Sequence, residues 1–222
     1  MVDSLHDRLA ELRDRMARAC ARARRDPDSV RLMAVTKIFG PEVIAEAHAL
    51  GLRDFGENYV QEMERKAPAI GGLEGIRFHL IGHLQSNKTK KAAQMFSSID
   101  TIDDPRLAAR LNAEGKPLDV MIELRLSDEP SKSGAAEADL PALAGAIRAC
   151  PNLTMRGLMV VPPWSEDAEL SRPYFARLRE LAGRHDIEGL SMGMSNDLEV
   201  AIEEGATWVR AGTALFGPRK RV

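Results

Sequence analysis

The chain has 222 residues, 44% hydrophobic and 29% charged, the length of one α/β barrel and the composition of a globular chain. With 31 basic against 33 acidic residues, its formal net charge of -2 gives no general attraction to phosphate backbones or anionic membranes, so no nucleic acid is expected as a partner. Cys20 and Cys150 read as free thiols of a reducing compartment, no apolar run approaches the roughly 20 residues that span a bilayer, and Asp3, His6, Asp7, Glu11 and Asp14 argue against a secretion or transit segment, so the cytoplasm is the expected location.

Leu5, Leu9, Leu12 and Met16 recur at helical spacing among arginines and acids, which predicts an amphipathic helix over the first 25 residues, ended by Asp26-Pro27. The apolar, β-branched run 30–36 predicts a buried parallel strand with Lys37 at its C-terminal end. From there the pattern alternates. Strands at 53–56, 76–81, 97–101, 118–124, 154–160, 189–192 and 207–210 are separated by helices at 41–50, 59–66, 87–94, 105–114, 140–149, 170–184 and 197–204. About eight βα units is the count of a (β/α)8 TIM-type barrel with an extra N-terminal helix, in one domain over 1–222. An open doubly wound sheet holds the same units, but it usually carries a glycine-rich fingerprint after its first strand, where this chain has Val35-Thr36-Lys37. The polar stretch 127–139 reads as a surface loop.

A lysine at the end of a barrel strand lies on the face where barrel active sites assemble. Met33, Val35, Ile38 and Phe39 surround Lys37 in sequence, and desolvation by such neighbours favours the neutral amine, the form that makes a Schiff base with a cofactor or a carbonyl substrate. Ser191-Met192-Gly193-Met194-Ser195-Asn196 leads from the seventh strand into a helix start, where free N–H groups and the Ser195 hydroxyl suit an anion. Arg210-Ala211-Gly212-Thr213 repeats the design after the eighth strand: Gly212 permits close backbone approach and Thr213 adds a hydroxyl. Barrel closure brings the first strand beside the eighth, so Lys37 is expected to face a phosphate pocket.

Other candidates carry less. His79 and His83 sit four apart without an HExxH pattern, so no metal site is expected, and one of them is expected to hydrogen-bond within the barrel mouth. Lys132, in Lys132-Ser133-Gly134, reads either as a solvated charge or as a second amine for an aldehyde. Glu57 and Tyr59 are polar groups of the kind that acid-base chemistry uses, without a pattern that assigns it to them.

Ordered motifs along nearly the whole chain resemble one family. They are Ala34-Val35-Thr36-Lys37, Phe55-Gly56-Glu57-Asn58-Tyr59-Val60-Gln61-Glu62, His79-Leu80-Ile81-Gly82-His83-Leu84-Gln85-Ser86-Asn87-Lys88, Lys132-Ser133-Gly134, Arg156-Gly157-Leu158-Met159, Met192-Gly193-Met194-Ser195 and the run from Val209 through Arg210, Gly212 and Thr213 to Gly217. This set resembles the pyridoxal phosphate homeostasis proteins, also called the proline-synthetase-co-transcribed family, whose fold is similar to the barrel domain of alanine racemases. The resemblance implies pyridoxal 5'-phosphate (PLP) held on Lys37 as an internal aldimine, its phosphate on Ser195, Gly212 and Thr213, its ring nitrogen facing Arg210, and Asn58 and Met159 lining the pocket. Glu123-Leu124-Arg125-Leu126 departs from the polar strand ending of many relatives, which puts a contact from that strand in doubt.

The function so implied is a carrier or regulator in vitamin B6 homeostasis, expected as a monomer, with PLP-dependent apoenzymes as partners and no robust turnover. A guanidinium beside a pyridine nitrogen disfavours its protonation and weakens the ring as an electron sink. Three other functions remain open. A racemase needs a second base on the opposite face, for which Tyr59 and Tyr174 are the only tyrosines; a Schiff-base aldolase needs no cofactor; a scaffold would use the N-terminal helix.

Overall fold

The structure, a computed structural model, describes residues 4–127, 129 and 133–217. Helix α1 (Leu5–Arg22) opens with a reciprocal cap, in which the Ser4 side chain accepts from Asp7 N while the Asp7 carboxylate accepts from Ser4 N. Its leucine stripe is buried: Leu5, Leu9, Leu12 and Met16 pack inward. Burial of each such side chain contributes about 1.5–3 kcal/mol.

Among the described residues eight parallel strands follow and close into a barrel in sequence order: β1 (Arg31–Val35), β2 (Asp54–Glu57), β3 (Arg77–Leu80), β4 (Ser98–Ile102), β5 (Leu118–Glu123), β6 (Leu153–Met159), β7 (Gly189–Ser191) and β8 (Trp208–Ala211). The sheet closes where Met33 of β1 stands opposite Arg210 of β8. Between the strands run α2 (Pro41–Ala49), α3 (Val60–Ile70), α4 (Thr89–Met95), α5 (Pro105–Ala113), α6 (Leu140–Arg148), α7 (Arg172–Arg184) and α8 (Leu198–Glu203), and α9 (Thr213–Phe216) follows β8. Helix α1 packs on α8 and α9, so the barrel itself covers the leucine stripe.

Strand periodicity divides the side chains into two layers. Ala34, Phe55, Leu80, Ile99, Ile122 and Val209 face the helices and belong to the main apolar core. Their neighbours in sequence face the barrel axis. A Cβ placed on Gly56 would stand 2.9 Å from Ile81 Cδ1 and 3.0 Å from Met33 Sδ, which fixes these three positions inside. Between β6 and β7 the backbones come so close that a Cβ on Gly157 would lie 2.3 Å from Gly189 O.

Two element boundaries differ from the sequence reading. The helix expected over 59–66 continues through Pro68 to Ile70, because burial of Lys66 and Ile70 against the barrel outweighs the backbone bond that proline removes. The helix expected from 87 begins instead with a 3-10 turn, Ser86–Lys88. Among the described residues no helix is long and apolar enough to cross a membrane.

Candidate functional site

The C-terminal strand ends surround a cavity of about 410 Å³, within the ~300–1,000 Å³ of small-ligand pockets. Lys37, Asn58 and Met159 line it, as do Ser195, Arg210, Gly212 and Thr213. These seven come from β1, β2, β6, β7 and β8 or the segments just beyond them, so only barrel closure brings them together.

Lys37 stands two residues past the end of β1, on a tight turn closed by Phe39 N donating to Thr36 O at 3.1 Å. The next residue, Ile38, has φ 68, a left-handed conformation that a β-branched side chain rarely adopts and that costs about 1–3 kcal/mol. Ile38 is 58% exposed and gains nothing from packing that would account for the conformation. The turn is instead gripped from its outer side by a buried network. Lys66 Nζ donates to Thr36 O at 2.9 Å, to Glu57 Oε1 at 2.7 Å and to Glu62 Oε1 at 2.8 Å, while Ile38 N donates to Glu62 Oε1. Burial pushes the Glu57 carboxyl above its ordinary range, against the hydrogen bonds from Lys66 and Thr36.

Arg210 is buried on the cavity wall. Its Nη1 donates to Ser191 O at 2.7 Å and Ser191 Oγ at 2.8 Å, and its Nη2 to Val160 O at 2.9 Å. Burial lowers its pKa, with Asp197, Glu123 and Asp100 acting from a distance to restore it; a guanidinium stays charged under such shifts.

The two segments after β7 and β8 are tied together. Ala214 N donates to Ser195 Oγ at 3.1 Å, which leaves the Ser195 hydroxyl hydrogen for a ligand or another acceptor. Gly212 keeps the cavity clear: a Cβ there would meet no protein atom nearer than Val35 O at 3.6 Å, so the protein alone does not require glycine. At the start of α8 Asp197 Oδ1 accepts from Met194 N at 2.6 Å and Oδ2 accepts from Ser171 Oγ at 2.8 Å, so the loop's own carboxylate takes up the Met194 N–H. Behind it, Arg15 of α1 donates to Ser195 O at 2.9 Å and to Glu199 Oε1 at 2.6 Å, and Arg8 donates to Leu215 O at 2.7 Å.

Several sequence candidates lie elsewhere. Glu57 faces the helical layer and Tyr59 is 62% exposed; neither lines the cavity. His79 does not hydrogen-bond in the mouth. It is buried in the barrel, opposite Gly56 of β2 and Ser98 at the start of β4, with Nε2 3.2 Å from Asp54 Oδ1 and Nδ1 3.2 Å from Asp100 Oδ2. His83 is exposed beside Asp103, and among the described residues no group of three or more His, Cys, Asp or Glu is placed to hold a metal ion. Lys132 lies outside the described residues. The sequence reading passed over Trp164, which lines the cavity from the β6–α7 segment and is 75% exposed. The only signal for it was its position, five residues past a strand end on the functional face.

A closed parallel barrel with a lysine just past its first strand, and a hydroxyl and glycine cradle after its seventh and eighth, is a barrel of the alanine racemase type. The chain belongs to the alanine racemase N-terminal domain family, whose model matches residues 8–220, and within it sits among relatives named pyridoxal phosphate homeostasis proteins. One of these, from Pseudomonas aeruginosa, is 45% identical over 98% of this chain and 97% of that one. Another, from Escherichia coli, is 44% identical over 99% and 98%. The solved structure of PipY from Synechococcus elongatus with PLP bound is 36% identical, has a TM-score of 0.84, and is covered over 96% of this chain and 100% of that one. An alanine racemase of Clostridium difficile, 11% identical with a TM-score of 0.74 over 94% of this chain and 58% of that one, shares the fold alone.

Proposed function

We propose that this protein holds pyridoxal 5'-phosphate covalently on Lys37 and serves PLP homeostasis as a carrier or regulator, without efficient turnover of its own. The observation that carries the proposal is the convergence of Lys37, Arg210 and the Ser195–Gly212–Thr213 cradle on one cavity of small-ligand size. The relatives' name and the PLP bound to PipY support the same assignment.

The residues present fit the group. Bound there, PLP supplies an aldehyde carbon and a conjugated ring able to draw electrons. Lys37 provides the amine for the aldehyde. The Ser195 and Thr213 hydroxyls and the open space over Gly212 receive the phosphate, while Asn58 and Met159 flank the ring. Arg210 presents only donors, so it withholds a proton from a pyridine nitrogen beside it and keeps electron withdrawal weak. Both tyrosines lie away from the cavity, Tyr59 on the exposed side of the mouth and Tyr174 within α7, so neither is set to exchange a proton with a ligand opposite Lys37.

The rest of the proposal follows from the surroundings. The chain acts as one barrel domain over 1–222 in the cytoplasm, in line with its free cysteines. It acts as a monomer, since α1 buries its leucines on its own barrel, and it delivers PLP to PLP-dependent apoenzymes. The test is absorption of the purified, PLP-loaded protein before and after borohydride, followed by peptide mapping. The expected result is a visible band that bleaches and a pyridoxyl mass on Lys37, both absent from Lys37→Ala. A protein that stays colourless with added PLP, or one labelled equally in Lys37→Ala, overturns the assignment.

A further inference from the structure

We infer that Glu62 and Lys66, which lie outside the cavity, are positioning residues that hold the Lys37 amine in reach of an aldehyde. The inference rests on the reading of Lys37 given above and adds to it the device that aims the side chain.

Two peptide units flank the Cα of Lys37, and one network holds both. The carbonyl of the first, Thr36 O, accepts from Lys66 Nζ at 2.9 Å; the N–H of the second, Ile38 N, donates to Glu62 Oε1. Glu62 and Lys66 are joined on successive turns of α3 at 2.8 Å, and Glu57 of β2 ties Lys66 to the Thr36 hydroxyl, with Glu57 Oε1 accepting from Nζ and from Thr36 Oγ1 at 2.7 Å each. Three acceptors use all three donors of the Lys66 ammonium, so this lysine is itself no candidate for the aldehyde. The cluster is buried, with Lys66 5% exposed and Glu57 fully enclosed.

The cluster acts on a segment that does not hold its shape by local preference. Ile38 is at φ 68, and a β-branched residue released from its tether returns to negative φ, which rotates the peptide before it and turns Lys37 away from the cavity. The chemistry depends on that direction. Lys37 Nζ adds to the aldehyde carbon, a C=N bond forms, and the aldehyde oxygen leaves as water with the two amine hydrogens; no oxidation or reduction occurs. Misplacement of a reacting group by about 1 Å slows such a step by up to about 100-fold, while ligand contacts made elsewhere are unaffected. The Ser195–Gly212–Thr213 cradle hangs on α1, α8 and α9, to which Glu57, Glu62 and Lys66 make no hydrogen bond; the Lys37 turn meets α9 through Phe39, whose ring stands 5.2 Å from that of Phe216.

The experiment compares two ligands on the full chain: PLP, and 4'-deoxypyridoxine 5'-phosphate, which has the phosphate and ring but no aldehyde. In Glu62→Ala the rate of covalent bond formation with PLP is expected to fall about tenfold or more, while affinity for the deoxy ligand changes by less than about twofold. Glu62→Gln keeps an oxygen for the Ile38 N–H and is expected to recover most of the rate. If Glu62→Ala does not fold, Glu62→Asp, which withdraws the carboxylate by one methylene, carries the same expectation at about threefold. An unchanged rate, a parallel loss for both ligands, or a Glu62→Gln variant as slow as Glu62→Ala overturns the inference while leaving the Lys37 assignment intact. A wild-type chain that gains no borohydride-stable mass on Lys37 overturns the assignment and the inference together.

Discussion

At the mouth of the barrel Arg210 hydrogen-bonds only neutral oxygens, those of Ser191 and Val160, and its charge borders a cavity. Toward the opposite end His79 lies between two carboxylates, Asp54 and Asp100, with the Trp208 ring at 5.1 Å and the Arg31 guanidinium over that indole, also at 5.1 Å. Both are buried cations on the barrel axis. The difference is in who neutralises them: His79 is answered inside the protein and closes the barrel, while Arg210 keeps charge available to a ligand. In this barrel the buried cation answered by dipoles borders the cavity, and the one answered by opposite charges does not.

The largest expected effect tests the His79 end. His79→Leu leaves Asp100 without its histidine and Asp54 with Arg77 alone, and is expected to destabilise the fold by about 3–5 kcal/mol in urea unfolding, with the affinity for PLP unchanged. A loss of PLP affinity in the folded variant would join the two ends that the comparison separates.

Next comes pH. Burial works to lower the His79 pKa, yet Asp100 and Asp54 raise it from 6.5 to about 9. The folded state therefore binds this proton more tightly than the unfolded chain, so the contribution is complete below about 6.5 and disappears as pH rises through about 9. Unfolding free energy is expected to drop by roughly 2–3 kcal/mol across that window, and the drop should be missing from His79→Leu. At the acid end Asp54, which burial alone would raise, is held below 3.8 by His79 and Arg77, so its share is lost only as pH falls through that lowered value.

The smallest effect belongs to the mouth. Arg15→Met removes the grip on Ser195 O and is expected to weaken binding of the deoxy ligand by about 1 kcal/mol, or about fivefold, in calorimetry. No change would mean that the cradle holds its shape without α1.

Sequence pattern carried the barrel because each strand is an apolar run ended by a turn signal, and it carried Lys37, Ser195, Gly212 and Thr213 because each stands just past such a run. Arg210, Asn58 and Met159 came through the family resemblance, since an arginine or methionine in a strand looks like any other. Glu57, left unassigned by the sequence, could have been set aside by counting: it follows Gly56, which faces inward, so the two-residue period turns Glu57 outward. The partners of His79 could not be counted, because Asp54 and Asp100 stand 25 and 21 residues away and meet it only across strands. Lys66 was only the last residue of the helix expected over 59–66; in the structure it is buried, and α3 runs on through Pro68, which local preference opposes.

The arginines of α1 and of the turn after it reach across nearly the whole chain: Arg8 to Leu215, Arg15 to Ser195, Arg25 to the carbonyls of Ile202 and Ala206. During synthesis α1 therefore leaves the ribosome before the strands and helices that it packs on, and must wait for them. Under the proposed function, a nascent chain carries Lys37 long before it carries Thr213, so selective capture of a phosphorylated aldehyde begins only once the cradle has followed.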